Sequence, residues 1–500
     1  MNKKEVLEIR KQFSPKNCAI TRICGCYVDH EKNKKMESKE AFLSLPEEEA
    51  FKYFDIFKKT LSGSIGKNMI NMEFPIDAEM PGGTQEFLLK LRDSRLEDDM
   101  LLEEFYDKVI ATYEYAENYY YAAHIITNFI LNENHPDIGK LDTYFFAIAF
   151  LYRHCLELGL KAIGFQNIHD KDGRIRFVND TFHNLYEIFD VLKDISDCKR
   201  PDEEMEWLKE YLADLSQMDR ESDSFRYPFH IVTEFDEWGL EKQYAIKEIF
   251  NEQTHIDLVL FANKFEAGYE IIKKWYKKET SNALEWKELK PIFIETGGYY
   301  YAQSVVGYRY NRARFYPYTK AYLETANYLK WYCKNKTGAE RANCKNRLFL
   351  PMCYLYRNCV ELSLKGIWFE EIGEDFQKKC KFILGKKHSI AGLWNKIKPY
   401  IINVASGEND LEYSEVVEDY CMQVHSFDND ANKFRYPMTK NMRPYFSCNK
   451  RFNFIGMGDF LEELNNSLDS FDWALNSYNE YIADMEAEYR SDMMAENDYY

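Results

Sequence analysis

Apolar positions recur at helical spacing through most of the chain. The clearest case is residues 144–165, YFFAIAFLYRHCLELGLKAIGF, which are apolar nearly all round, as a core helix is. Placed on a helix at about 100° per residue, Leu151, Cys155, Leu158, Ala162 and Phe165 form one apolar stripe. Leu156, Leu160 and Ile163 form a second flank. Between them runs a narrow polar ridge, Arg153, Glu157 and Lys161, with His154 beside it. Glu157 lies one turn from each neighbour and can bridge both.

The same pattern returns at residues 348–369, LFLPMCYLYRNCVELSLKGIWF, with 11 of 22 positions identical without a gap. The ridge returns as Arg357, Glu361 and Lys365. Self-similarity at this distance marks an internal duplication. The flanking elements repeat in order. Helices are expected over 113–131, 183–195, from Pro201 to about Asp219, and over 256–277. Their counterparts are 318–332, a helix opened by His388, 409–425 and 460–489. Residues 166–180, with Gly173, read as a polar loop, and GGYYYAQSVVGYRY, within a connector, reads as a hairpin. Each half also carries the tetrapeptide FRYP, at 225–228 and 434–437, where Pro disfavours helix for the residue before it. The expected architecture is mainly α: two tandem helical-bundle repeats, 113–278 and 316–500, joined by a connector at 279–315, after a small α+β head at 1–112.

Each repeat keeps one polar set. In the first it is Arg153, Glu157, Lys161, His183, Asp219 and Arg226; in the second, Arg357, Glu361, Lys365, His388, Asp428 and Arg435. The loops between them differ in length while the identities persist, which points to convergence in space. One reading is an internal ion-pair network, with each FRYP Arg pairing the core Glu, since buried charges must be matched. The other is an anion site: Arg and Lys suit phosphate oxygens, and His moves protons near neutral pH.

Composition narrows the partners. The 500 residues carry a formal net charge of −18, so nucleic acid would need a local basic cleft. The 12 cysteines form no paired framework, and no uncharged apolar run reaches the length of a membrane span. A cytoplasmic protein without a membrane segment or a cofactor is expected. In the head, Cys18, Cys24, Cys26 and His30 lack a standard zinc spacing, and Gly63 to Asn68 lacks the full phosphate-loop pattern, so no metal is expected.

The segments MNKKEVLEIRKQF, CAITRICGCYVD, FKYFDIFKKTLSGSIGKNMINMEFP and QEFLLKLRDSRLEDD resemble the beginning of an uncharacterised bacterial domain-of-unknown-function family over roughly the first 110 residues. Family members are longer than this segment, so the head reads as a truncated piece fused to something else. A sensor or bait for a protein partner is one role it suggests.

Past the head, the aromatic first helix, the core helix with LYRxCxELxLK, the helix after His and the late FRYP are together similar to HEPN-like domains. That superfamily is rich in metal-independent ribonucleases of defence and abortive-infection systems, with noncatalytic members, and its domains act as facing pairs. The resemblance implies an intrachain pseudo-dimer that targets RNA or a nucleotide. Arg153 and Arg357 would hold the scissile phosphate, with His183 or His388 as acid–base. Glu157, Lys161, Asp219, Arg226, Glu361, Lys365, Asp428 and Arg435 would line the binding site. The superfamily's usual mark, an Arg with a His a few residues on, has no counterpart after Arg153 or Arg357. A silent helical scaffold is the other expectation.

Overall fold

The computed structural model describes residues 27–29, 34–36 and 99–102, then 107–497 apart from 133–137, 198–199, 236–241, 282, 284–285, 310–312, 406–407 and 447–449. The head's Cys18, Cys24, Cys26, His30 and Gly63 to Asn68 lie outside the described residues.

Three short strands come first: β1 (Tyr27–Asp29), β2 (Lys34–Met36) and β3 (Asp99–Leu102). The first half then runs α1 (Lys108–Leu131), α2 (Ile138–Asn167), α3 (Lys171–Thr181), α4 (Leu185–Ile195), α5 (Asp202–Met218), β4 (Phe229–Phe235), β5 (Lys242–Glu248), β6 (Thr254–Asp257) and α6 (Leu258–Tyr276). After β7 (Gln303–Val306), the second half runs α7 (Tyr316–Lys334), α8 (Gly338–Gly366), α9 (Phe376–Lys386), α10 (Ile390–Val404), α11 (Glu408–Phe427), β8 (Lys450–Asn453) and α12 (Phe454–Asn497). The fold is mainly α.

The core helices are α2 and α8. From Tyr144 to Phe165 every residue of α2 is buried, ridge included. Each core helix packs on the first helix of its own half and also on that of the other half, α2 on α7 and α8 on α1. One hydrophobic core therefore runs through both halves, with stacked rings at the seam such as Phe146 on Tyr318 and Phe150 on Tyr354.

The strands are paired two by two, all antiparallel: β1–β2, β3–β8, β4–β5 and β6–β7. The β3–β8 pair ties the end of the head to the second half, with Met100 buried opposite Phe452.

Four expectations give way. Residues 166–180 are not a loop: Asp170 caps Gly173 N at 2.6 Å and α3 follows. GGYYYAQSVVGYRY is not a self-paired hairpin, because β7 pairs with β6. The expected helix over 256–277 starts at Leu258, since Asp257 ends β6 and caps α6 through Leu260 N at 2.9 Å. The aromatic helix also begins at Lys108, five residues before the expected boundary, where the Asp107 carboxylate accepts from Val109 N at 2.8 Å.

Candidate functional site

The ridge of α2 is a closed ion-pair ladder. Arg153 is fully buried, and its Nε donates to Asp219 Oδ2 at 2.9 Å. Its Nη1 donates to Glu157 and its Nη2 to the His183 carbonyl. Lys161 Nζ reaches Glu157 Oε1 at 2.7 Å. Burial alone would push the Glu157 carboxyl up; Lys161, His183 and Arg153 outweigh it and hold it well below the usual carboxylate range.

The second half repeats this geometry. Arg357 Nη1 donates to Glu361, its Nη2 to the His388 carbonyl at 2.7 Å, and Lys365 Nζ to Glu361 Oε1 at 2.7 Å. The last link is looser: Arg357 Nε stands 3.5 Å from Asp428 Oδ2. Both aspartates also close the turn before FRYP. Asp219 Oδ1 accepts from the backbone of Asp223 and Ser224 at 2.9 Å each, and Asp428 Oδ1 from Asn432 and Lys433 at 3.1 Å each.

Each histidine is held by the same glutamate. His183 Nδ1 lies 2.9 Å from Glu157 Oε1, and His388 Nδ1 lies 3.0 Å from Glu361 Oε1. An ionised carboxylate fixes the proton on Nδ1 and leaves Nε2 as a base. Burial pushes His183 from the ordinary 6.5 down to about 4, against the pull of Glu157. For His388 the pull of Glu361 is overcome by burial together with Lys365 and Arg226, and it too falls below the ordinary value.

The FRYP segments are exchanged between halves. Tyr436, of the second half, donates to Glu157 Oε1 of the first at 2.8 Å. Tyr227, of the first half, donates to Glu361 Oε1 of the second at 2.7 Å. Each ring also lies under the lysine of that ladder, Lys161 at 5.3 Å and Lys365 at 4.4 Å from the ring centres. The backbones are held across the seam as well: Tyr119 donates to the Phe434 carbonyl at 3.3 Å, and Tyr322 to the Phe225 carbonyl at 3.2 Å.

This corrects the expected pairing of each FRYP Arg with the core Glu. The tyrosine makes that contact, and makes it in the other half. The arginines turn elsewhere. Arg226 Nε donates to the Ser222 carbonyl at 2.5 Å, and Arg435 Nη2 to the Tyr436 hydroxyl at 3.1 Å. Both side chains are buried, and neither makes an ion pair among the described residues. Arg226 Nη1 and Arg435 Nε have no hydrogen-bond partner.

A cavity of about 380 Å³ opens between the halves, walled by Lys161, His183, Arg226, His388, Arg435 and Tyr436. Lys387 and Lys440 stand on its rim, and Asp430 is the one carboxylate among its lining residues. Arg153, Glu157, Asp219, Arg357, Glu361, Lys365 and Asp428 do not line it. The expectation that Arg153 and Arg357 hold a phosphate therefore fails on geometry: they are fully buried and turned to their own carboxylates. Arg226 and Arg435 are the arginines among its lining residues. Sequence reasoning also passed over Tyr227, Tyr436, Lys387 and Lys440. Only the two tyrosines left a signal, as part of the repeated FRYP.

Among the described residues no group of three or more His, Cys, Asp or Glu is placed to hold a metal ion. No helix among them is long and apolar enough to cross a membrane.

Residues 1–129 match the family model of a domain of unknown function, DUF4317. The match covers the head, as the head's own segments implied, and continues into α1. No curated protein and no solved structure gives a significant match to the chain. None of these comparisons supports the expected likeness of the two halves to HEPN domains.

Proposed function

We propose that the chain is an RNA-targeting protein whose interhalf cavity binds a phosphate of RNA and cleaves the adjoining phosphodiester without a metal. One observation carries this: two arginines that make no ion pair among the described residues and two glutamate-held imidazoles line one cavity. Arginine forks match phosphate oxygens, and a neutral imidazole held at Nδ1 by a carboxylate is a general base.

In the step, His183 Nε2 takes the proton of the ribose 2′-hydroxyl as its oxygen attacks phosphorus. The bond from phosphorus to the 5′-oxygen breaks. The leaving oxygen takes a proton from His388 in its imidazolium form, which gives a 2′,3′-cyclic phosphate and a 5′-hydroxyl. Arg226 and Arg435 hold the neighbouring phosphate and so fix the strand against the two imidazoles. The HEPN likeness supplies the setting, a bacterial defence or abortive-infection system.

The test is cleavage of structured RNA in EDTA. Wild type is expected to cut, and His183→Ala or Arg226→Ala/Arg435→Ala to lose roughly 100-fold or more in rate. RNA binding without cleavage would transfer the protein to a second reading, a noncatalytic scaffold with the head as sensor for a protein partner. The low position of His183, about 4, favours that reading. No RNA binding at all would remove both.

A further inference from the structure

The arginine pair sets a charge requirement that an internal RNA phosphate does not meet. Arg226 and Arg435 are 5% and 3% exposed, both are among the residues lining the cavity, and neither makes an ion pair among the described residues. Their charges oppose one another across the seam. The other buried cation of the wall, Lys161, already has Glu157. Asp430 is exposed on the rim. Asp223 and Glu157 favour these charges from a distance without pairing them directly, and two negative charges on one ligand would complete the match. A phosphodiester brings one. A phosphate monoester brings between about 1.5 and 2 at neutral pH, with three oxygens for two guanidinium forks.

The cavity is also one-sided, lying against one core helix and not its counterpart. In the first half, Phe165 stands at the wall with Met438, the residue after the second FRYP. In the second half the counterpart ring, Phe369, is covered by Phe229, the residue after the first FRYP, at 4.8 Å. There β4 and β5 hold that cover in place: Tyr244 N donates to Gln377 Oε1 of α9 at 2.6 Å, and Gln377 Nε2 donates to Tyr244 O at 2.8 Å. The hairpin occupies the place where a second ligand would sit. What remains is a pocket near the small end of the usual size for compact ligands, about 300–1,000 Å³.

We infer that the cavity seats one terminal phosphate monoester per chain, that of a phosphorylated RNA end, with Arg226 and Arg435 gripping its oxygens from opposite halves. This rests on the RNA reading and narrows it from any phosphate of the strand to an end.

The experiment uses the full chain and four probes, followed by calorimetry. Three are one RNA oligonucleotide with a 5′-phosphate, with a 3′-phosphate, or with hydroxyls at both ends. The fourth is inorganic phosphate. One phosphorylated end is expected to bind at least about tenfold more tightly than the hydroxyl-ended strand, at one site per chain, with inorganic phosphate competing. Which end is favoured assigns 5′ or 3′. Lys440→Ala, on an exposed loop, is expected to weaken that advantage severalfold without unfolding the protein. Equal binding of the three oligonucleotides would overturn the end assignment and leave the RNA reading standing. Two sites per chain would overturn it as well. Binding of inorganic phosphate but of no oligonucleotide would overturn both. These comparisons use wild type, so they do not depend on how an arginine variant folds.

Discussion

Glu157 is the residue on which the first ladder turns. It accepts from Arg153, Lys161 and Tyr436 and orients His183, all while fully buried. Removing one partner of a buried charge network strands the others, so Glu157→Ala is expected to cost about 3–5 kcal/mol. Tyr436→Phe removes the hydroxyl's hydrogen bonds with Glu157 and Arg435 and keeps the ring, at about 2 kcal/mol. Urea denaturation of the two variants checks the contrast. Acid should also weaken the fold. His183 titrates near 4 when folded and near the ordinary 6.5 when unfolded. Its contribution is complete above about 6.5. As the pH falls toward 4, the unfolded chain takes up a proton that the folded chain refuses, and stability drops by roughly 2–3 kcal/mol. The carboxyls of Glu157 and Glu361, held low, extend the loss to more acid pH. The urea midpoint should decline over this window, and less so in His183→Asn. The spacing of Arg153, Glu157 and Lys161 made the ladder legible, because helix geometry alone brings residues four apart together. The tyrosine contacts were hidden, because they join residues some 280 and 130 positions apart in the chain and no local periodicity reports such a pairing.

At the scale of elements, the histidines and FRYP segments sit on matched strained turns. Phe182 and Lys387, one residue before each histidine, have φ of 44° and 49°. Ser222 and Ala431, four residues before each FRYP arginine, have φ of 62° and 61°. Side chains other than glycine rarely adopt such backbone, and each instance costs on the order of 1–3 kcal/mol. Ala431→Gly removes that strain at a buried position and is expected to raise stability by about 0.5–1 kcal/mol, read as a higher melting temperature. The long apolar helices α1, α2, α7 and α8 could be read from the chain because their periodicity extends over many turns. The short helices α3 and α9 could not. KDGRIRFVNDT buries only Phe177, Val178 and Thr181, and FQKKCKFILGK only Cys380 and Ile383. Their starts depend on single caps, Asp170 and Asp375, and their place on packing, of α3 on α2 and of α9 on β5. The β4–β5 hairpin escaped for a related reason, as it is half exposed and lacks a clean alternation of buried and exposed positions.

For the whole molecule, the two halves do not form separable domains. Packing of α1 on α8 and α7 on α2 makes the first helix of each half part of the other's core. Residues 107–281 alone would leave Phe146, Phe150 and Phe229 without Tyr318, Tyr354 and Phe369. Such a fragment is expected to show no cooperative unfolding transition by near-ultraviolet circular dichroism, whereas the full chain unfolds in one. The matching ladders could be anticipated from the repeated LYRxCxELxLK and FRYP. Their interlocking could not, since a repeat in sequence is equally compatible with beads on a string.

The crossed tyrosines carry a consequence for how such a chain can change over generations. Tyr436 is answerable to Glu157 and Tyr227 to Glu361, so a lesion at one position is repaired by an alteration in the opposite copy, never in its own. Neither copy can be discarded, reordered or swapped for a distant cousin while the other stays intact. The two halves are thus bound by a handshake, Tyr436 to Glu157 and Tyr227 to Glu361, that neither can complete alone.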